Sequence, residues 1–127
     1  MPPWDLLERT RLFALAVVKF CRGLPGTAES QEAARQLRRA ANSTRSNCRA
    51  ARKGRSRAEF RSKLQTAFEE ADECVDWLEY FRDARIKHNA TLLQEARELA
   101  SIFAKSVQTA RRNTEEVQSA KCKAQSK

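Results

Sequence analysis

Glycine and proline are scarce in this sequence of 127 residues, which contains only three of each. An all-β sandwich or barrel needs a turn about every 8–12 residues, so turn residues this rare exclude those folds. The same scarcity leaves no glycine-rich phosphate loop of the dinucleotide-binding or P-loop type. Alanine is abundant instead, and with leucine, glutamate, glutamine, arginine and lysine it makes a composition that favours helices.

Histidine occurs once, at His88, and the four cysteines contain no C-x-x-C pair. A structural zinc site needs four ligands, and a catalytic triad needs an imidazole beside a nucleophile, so this pattern supports neither. We therefore expect no metal, no cofactor and no enzymatic activity. The cysteines lie in apolar helical contexts or near the C-terminus, which indicates reduced packing residues of a cytoplasmic protein.

Long hydrophobic runs are also missing. The longest, from Leu12 to Val18, has seven residues and is followed by Lys19, whereas a membrane span needs ~20. Asp5 and Glu8 precede this run and no small-residue cleavage site follows it, so a signal peptide is not indicated. We expect a cytoplasmic protein with no membrane partner.

Apolar residues recur at alternating spacings of four and three in four segments, which predicts four amphipathic helices. We call the row of apolar residues along each helix its seam. The first helix is expected to begin near Asp5 and the fourth to end near Arg112, with breaks at 23–27, 54–56 and 84–90. Thr27 is the expected N-cap of the second helix, and Ser56 forms a capping box with Glu59 at the start of the third.

Loops this short predict an all-α fold, an up-down-up-down four-helix bundle over residues 1–113. Two long helical hairpins that need a partner to complete the core are the alternative. Residues 114–127 are polar and basic, and we expect them to form a disordered tail. The expected core comprises Leu37, Cys48, Phe60, Leu64, Ala71, Cys74, Leu78, Leu99 and Phe103.

Positive charge is concentrated in one stretch of the chain. The whole sequence carries a formal charge of +9, and residues 35–63 hold eleven basic residues against one acid, Glu59. The predicted nucleic-acid-binding residues lie there, off the apolar seam of the second helix and in the turn after it: Arg35, Arg38, Arg39, Arg45, Arg49, Arg52, Lys53, Arg55, Arg57 and Arg61.

Arginine outnumbers lysine nine to two in this stretch, and guanidinium groups bind phosphates bidentately. No aromatic residue lies between Cys21 and Phe60 to interleave with the arginines. This argues against a platform for single strands and favours contact with the backbone of structured RNA or duplex DNA, with little sequence preference. A solvated basic face is one alternative interpretation. Pairing of the arginines with acids on other helices or subunits is another, because residues 64–110 hold nine acids and five bases.

The apolar stripe of the third helix is wider than one bundle core requires. Phe68, Val75 and Trp77 flank the seam on this helix. A stripe this wide is typical of a helix that contacts two or more neighbours rather than of a two-stranded coiled coil. We therefore expect an oligomer rather than a monomer.

An ordered set of short segments resembles a known family. The segments are Leu7-Glu8-Arg9-Thr10, Leu24-Pro25, Gln36-Leu37-Arg38-Arg39-Ala40, Asn47, Ser56-x-x-Glu59-Phe60-x-x-Lys63-Leu64 and Glu69-Glu70-Ala71-Asp72-Glu73-Cys74-x-x-Trp77-Leu78. They resemble the bacterial four-helix-bundle proteins encoded in 23S ribosomal RNA intervening sequences. More distantly, they are similar to the accessory variability determinants of diversity-generating retroelements.

The resemblance covers about residues 5–110 and implies an up-down bundle that assembles into a homopentamer without known catalysis. The accessory relatives bind nucleic acid and a reverse transcriptase, which implies the same two classes of partner here. Two functions are therefore in competition. One is a non-enzymatic oligomeric bundle that binds RNA or DNA through its basic second helix. The other is a structural or protein–protein interaction oligomer whose arginines pair between helices or subunits.

Overall fold

Four helices account for the fold of the computed structural model, which describes residues 3–125. They are α1 (Pro3–Cys21), α2 (Ala28–Arg52), α3 (Arg57–Asp83) and α4 (Ala90–Gln125). Each helix packs on the next along the chain, and α1 also contacts α4, which closes an up-down-up-down bundle. No strand occurs in these 123 residues. The predicted all-α four-helix bundle is confirmed, and the first two and last two residues of the chain lie outside the described part.

Side chains from neighbouring segments fix the ends of the helices. Thr27 Oγ1 accepts a hydrogen bond from the Ser30 amide, and Ser56 Oγ accepts one from the Glu59 amide at 3.0 Å, so both expected N-caps are confirmed. The return bond of the expected capping box, from the Ser56 amide to the Glu59 carboxylate, does not form within the described residues. A third cap, which the sequence patterns did not indicate, is Asn89, whose Oδ1 accepts from the Leu92 amide at 3.0 Å. At the end of α1, Gly23 adopts a φ of +78°, which suits a residue without a Cβ.

The predicted seams converge on one core. Eight of the nine expected core residues are buried, and the largest fully buried side chains include Phe81, Phe103, Leu37 and Leu99. Phe20, near the C-terminal end of α1, and Phe81, near the C-terminal end of α3, meet edge to face with ring centroids 5.3 Å apart. Alanines dominate the buried face of α2, and small side chains let α1 and α3 approach this helix closely.

Phe60 is the exception, because it is 40% exposed where the sequence analysis expected a core residue. It lies in the first turn of α3, beyond the layer in which the seams of all four helices meet. Strict heptad spacing continues to the end of a helix, but at this end of the bundle Phe60 lines open surface grooves with the turn before α3 and with the α4 extension. The prediction of a buried Phe60 is therefore wrong.

The C-terminal segment also differs from the expectation. A disordered tail was predicted from residue 114, whereas α4 continues to Gln125. This extension contains no glycine or proline, and glutamate, glutamine, alanine and lysine favour the helical state. Its side chains are largely exposed, with only Thr114 and Val117 partly covered. The extension is therefore helical although it projects past the start of α3.

Truncation of a core leucine tests the seam assignment. Leu64→Ala or Leu78→Ala should each lower the free energy of unfolding by about 2–5 kcal/mol, because each removes buried methyl groups and leaves a cavity. Urea denaturation followed by circular dichroism measures the loss. Gln94→Ala, at an exposed position of α4, is the control and should change stability by less than about 0.5 kcal/mol. A similarly small loss for either leucine variant would mean that the seam is assigned incorrectly.

Candidate nucleic-acid interface

A groove between α1 and α2 gathers basic side chains from both helices. It has a volume of about 770 Å³, and seven residues line it: Leu7, Glu8, Arg11, Arg45, Arg49, Arg52 and Lys53. Five of the seven are cationic and one is acidic, which gives the lining a formal charge of +4. We call these residues the basic groove.

Helix geometry brings the basic residues of α2 to this groove. Arg45, Arg49 and Arg52 are three or four positions apart, so they share one face of the helix. The adjacent seam, which contains Thr44, Cys48 and Ala51, is buried against the other helices. Burial of this seam holds the backbone of α2 in place, and the three arginine side chains lie outside the core. All three are exposed.

Arg11 completes the groove from α1. In an antiparallel hairpin the beginning of the first helix lies beside the end of the second, and this register places Arg11 near Arg45. Arg11 lies outside the basic stretch of residues 35–63, so the charge count along the sequence did not single it out. The sequence could have indicated that Arg11 lies beside α2, because the short loop between the first two helices already implied that they are antiparallel.

The single acid of the groove is engaged by a neighbour. Glu8 Oε1 lies 2.8 Å from Arg11 Nη2, one turn away along the exposed surface of α1. This hydrogen bond lowers the pKa of Glu8 and raises that of Arg11, so both groups are charged at neutral pH. Glu8 thus offsets Arg11 and leaves the cations of α2 without a carboxylate.

The remaining cations of the basic groove are unpaired. Across residues 3–125, Arg45, Arg49, Arg52 and Lys53 form no ion pair with a carboxylate. Four like charges within about 12 Å of helix axis repel one another, and an anion that bridges them relieves this repulsion. The arrangement is therefore suited to a ligand with several negative charges.

The other predicted site residues fall into three groups. Arg55, Arg57 and Arg61 continue the basic surface around the turn between α2 and α3, and line shallow grooves around Phe60. Arg52 lines both the basic groove and one of these shallow grooves, so the two are continuous. The structure thus brings together seven of the ten predicted residues.

Arg38 lies near the middle of α2, beside the thiol of Cys21. Burial raises the pKa of Cys21, and the nearby Arg38 charge opposes that rise. The thiol is within 3.8 Å of the Ala34 carbonyl oxygen, a geometry in which it donates a hydrogen bond to the backbone. Arg38 therefore contacts α1 and is not among the residues that line the basic groove.

Arg35 and Arg39 both pair with acids, but only Arg39 pairs with acids of another helix, as the alternative interpretation of the sequence expects. Arg35 pairs with Glu32 one turn earlier on α2. Arg39 reaches across to α3, where its guanidinium lies 2.9 Å from Glu70 and 2.5 Å from Glu73. The hydrogen bond that Arg39 donates to Glu73 is the main reason that the pKa of Arg39 is raised. These ion pairs link α2 to α3, and Arg39 does not line the basic groove.

Two further classes of site, a metal centre and a membrane span, have no support within residues 3–125. No group of three or more histidine, cysteine, aspartate or glutamate side chains is placed to hold a metal ion in that part of the chain. No helix there is both long and apolar enough to cross a membrane.

The fold and the groove together define a basic all-α bundle protein. A sequence model of the 23S rRNA-intervening sequence protein family matches residues 4–105, so the chain belongs to that family. The resemblance noted from the sequence segments is confirmed by this match.

A solved structure agrees with the fold. It is the crystal structure of a protein of unknown function from the S23 ribosomal protein family of Bacteroides thetaiotaomicron. The two chains superpose with a TM-score of 0.77 at 22% sequence identity, over 85% of this chain and 99% of that one. At this identity the likeness supports the fold alone. No curated protein matches the chain.

Removal of the Arg39 side-chain charge tests its assignment as a structural contact. Arg39→Gln should lower the free energy of unfolding by no more than about 1 kcal/mol, because the pairs are partly exposed to solvent. The loss should shrink as salt is added, since screening weakens the wild-type pairs. Urea denaturation at low and high salt measures both effects. A loss that does not depend on salt would show that Arg39 stabilises by packing rather than by charge.

Proposed function

We propose that this protein is a non-enzymatic bundle that binds structured RNA or duplex DNA through the basic groove. The observation that carries the proposal is the set of four unpaired cations, Arg45, Arg49 and Arg52 of α2 and its C-cap Lys53, which line one groove beside Arg11 of α1. Guanidinium groups in such a row bind phosphates by charge-assisted hydrogen bonds.

The dimensions of the groove fit a nucleic-acid backbone. Arg45 and Lys53 are eight residues apart, which is about 12 Å of helix axis. A duplex carries one negative charge per ~1.7 Å of its axis, so several phosphates fall within this length. The lining offers cations, one glutamate and Leu7, and we expect the cations to contact backbone phosphates, which carry no sequence information. Little sequence preference follows.

The family description and the resemblance narrow the choice of partner. The family description names 23S rRNA, which makes a ribosomal RNA segment the first nucleic acid to test. The more distant resemblance to accessory variability determinants adds a reverse transcriptase as a candidate protein partner.

The competing function is a structural or protein–protein interaction oligomer. The pairs of Arg39 with Glu70 and Glu73 favour it, because they show that some of the excess arginine serves to join helices. The two functions differ in their response to salt. Nucleic-acid binding that neutralises several phosphates weakens steeply as salt rises, whereas a packed subunit interface weakens far less.

Removing three charges from the basic groove tests the proposed function. If each protomer contacts about five phosphates, the logarithm of duplex affinity should fall with that of salt at a slope of about −4 to −5. In R45Q/R49Q/R52Q the slope should flatten by about 2–3 units, because three phosphate contacts are lost. Fluorescence anisotropy with RNA and DNA at several salt concentrations measures the slope.

A matched triple variant controls for total charge. R35Q/R82Q/R97Q removes the same formal charge, but each of these arginines already pairs with an acid within its own chain. It should leave the slope unchanged. Wild-type protein that fails to bind nucleic acid at low salt, or equal slopes for the wild type and the groove variant, would refute the proposal and favour the structural oligomer.

We also propose that the protein functions as an oligomer, and the family resemblance implies a homopentamer. Phe68, Val75 and Trp77 are partly buried against the core, and each keeps some apolar surface in contact with solvent. On α1, Leu12 and Leu15 are 51% and 54% exposed. Association would remove this apolar area from water.

Light scattering at low micromolar concentration tests association directly. The expected mass is a multiple of the 14.5 kDa chain, and a homopentamer corresponds to about five times that value. Leu12→Glu with Leu15→Glu should reduce the mass if the exposed face of α1 forms the interface, because a buried unpaired carboxylate is costly. A wild-type mass near 14.5 kDa would contradict the proposal.

A further inference from the structure

Phe60 is an exposed aromatic ring within a group of arginines. Its exposed fraction is 40%, although it occupies the first turn of a capped helix. Arg52, Arg55 and Arg57 line a groove of about 520 Å³ with it on one side. On the other side, Phe60, Arg57 and Arg61 line a second groove of about 570 Å³ together with part of the α4 extension.

The ring is attached to an ordered part of the backbone. The Phe60 amide donates a hydrogen bond to the Ser56 carbonyl oxygen at 3.0 Å. A Cβ on Gly54 would lie only 3.2 Å from the Phe60 nitrogen and 3.3 Å from its Cα, so the turn between α2 and α3 packs tightly on this backbone. The turn therefore holds the backbone that carries the ring.

The surroundings of Phe60 combine two chemical properties. The ring offers an apolar π-face, and none of Arg55, Arg57 and Arg61 forms an ion pair within the described residues. A nucleotide carries the complementary pair, a flat base and an anionic phosphate. A base inside a duplex is already stacked on both sides, so only an unpaired nucleotide has a face available for the ring.

An apolar protein segment would also cover an exposed phenylalanine, but the local charge favours a polyanion. Four arginines border the two shallow grooves, and Glu116 is their single acid. Arg52 also connects this surface to the basic groove. A strand whose phosphates follow the basic groove would therefore reach Phe60 without crossing a neutral surface.

We infer that Phe60 and its neighbouring arginines form a binding site for an unpaired nucleotide, whose base stacks on the ring while its phosphates contact Arg55 and Arg57. This inference rests on the proposed function and deepens it, because it assigns the end of the basic surface to a loop, bulge or overhang next to a paired segment. It differs from the expectation from the sequence, in which the lack of aromatic residues among the arginines argued against a platform for single strands.

Truncation of the ring tests the inference with three probes: a blunt duplex, the same stem closed by an unpaired loop, and a single strand. Phe60→Ala should weaken binding of the loop and the single strand by about 5- to 100-fold, the range expected for loss of one stacked base. It should change duplex affinity less than about twofold, because phosphate contacts in the basic groove are retained. RNA and DNA versions of each probe show which nucleic acid the site prefers.

Three variants separate stacking from other roles of the ring. Phe60→Trp keeps a π-face and should bind the loop as the wild type does, whereas Phe60→Leu keeps apolar volume without a π-face and should bind as Phe60→Ala does. Tyr80→Ala is the matched control, because Tyr80 is also 40% exposed on α3 but lies at the opposite end, and it should leave all three affinities unchanged. A fluorescent base analogue in the loop reports stacking directly through a change of emission that Phe60→Ala abolishes.

Several outcomes would overturn the inference. The inference fails if Phe60→Ala weakens binding of the loop and the duplex equally, or if Phe60→Leu binds the loop as tightly as the wild type does. It also fails if Phe60→Ala lowers the oligomer mass and this accounts for the weaker binding, because the ring would then belong to a protein interface. The failure of the proposed function is distinguishable from these results. If the proposed function is wrong, the wild type binds none of the three probes. If only the inference about Phe60 is wrong, the wild type still binds the duplex with an affinity that depends on Arg45, Arg49 and Arg52.

Discussion

Burial of the small-residue seam of α2 between its neighbours is the constraint on which the rest of the structure depends. Alanine, threonine and cysteine side chains fill this seam, and they leave room for α1 and α3 at close range. The arginines of the same helix are thereby excluded from the core and divided between its two flanks. On the flank beside α3, Arg39 meets Glu70 and Glu73; on the flank beside the start of α1, Arg45, Arg49 and Arg52 meet no acid except the already paired Glu8.

This division explains why a high positive charge does not prevent folding. Repulsion within α2 is offset by ion pairs on one flank, and it is tolerated on the other because those side chains are exposed and screened by solvent. The uncompensated flank is also the one that continues through Arg52 to the turn before α3 and to Phe60. A single surface thus combines the row of cations that we propose as the contact for a nucleic-acid backbone with one aromatic ring at its end. The likeness to the crystal structure of a protein of unknown function supports the fold of this surface and leaves its role to be tested.

Local sequence patterns predicted the four helices and most of the core, because spacings of four and three residues directly determine which face of a helix is apolar. The N-caps at Thr27 and Ser56 were predictable for the same reason, since a cap depends on residues only three positions apart. Contacts between helices were harder to predict. That Arg39 pairs with α3 while Arg45 does not depends on the rotation of α2 about its axis, which charge counts do not contain. The burial of Phe60 was predicted wrongly because seam spacing does not show whether neighbouring helices cover the first turn of α3. The α4 extension was predicted wrongly because its polarity was interpreted as disorder.

The central claim is that nucleic acid lies in the basic groove rather than elsewhere on this basic protein. Photo-crosslinking of a bound RNA hairpin, followed by mass spectrometry of the linked peptides, tests the claim most directly. The account predicts crosslinks in peptides that contain residues 45–60 and in the peptide that contains Arg11, with none on the acidic surface of α3 around Glu69 and Asp76. Crosslinks concentrated on that acidic surface, or an even distribution over all four helices, would contradict it.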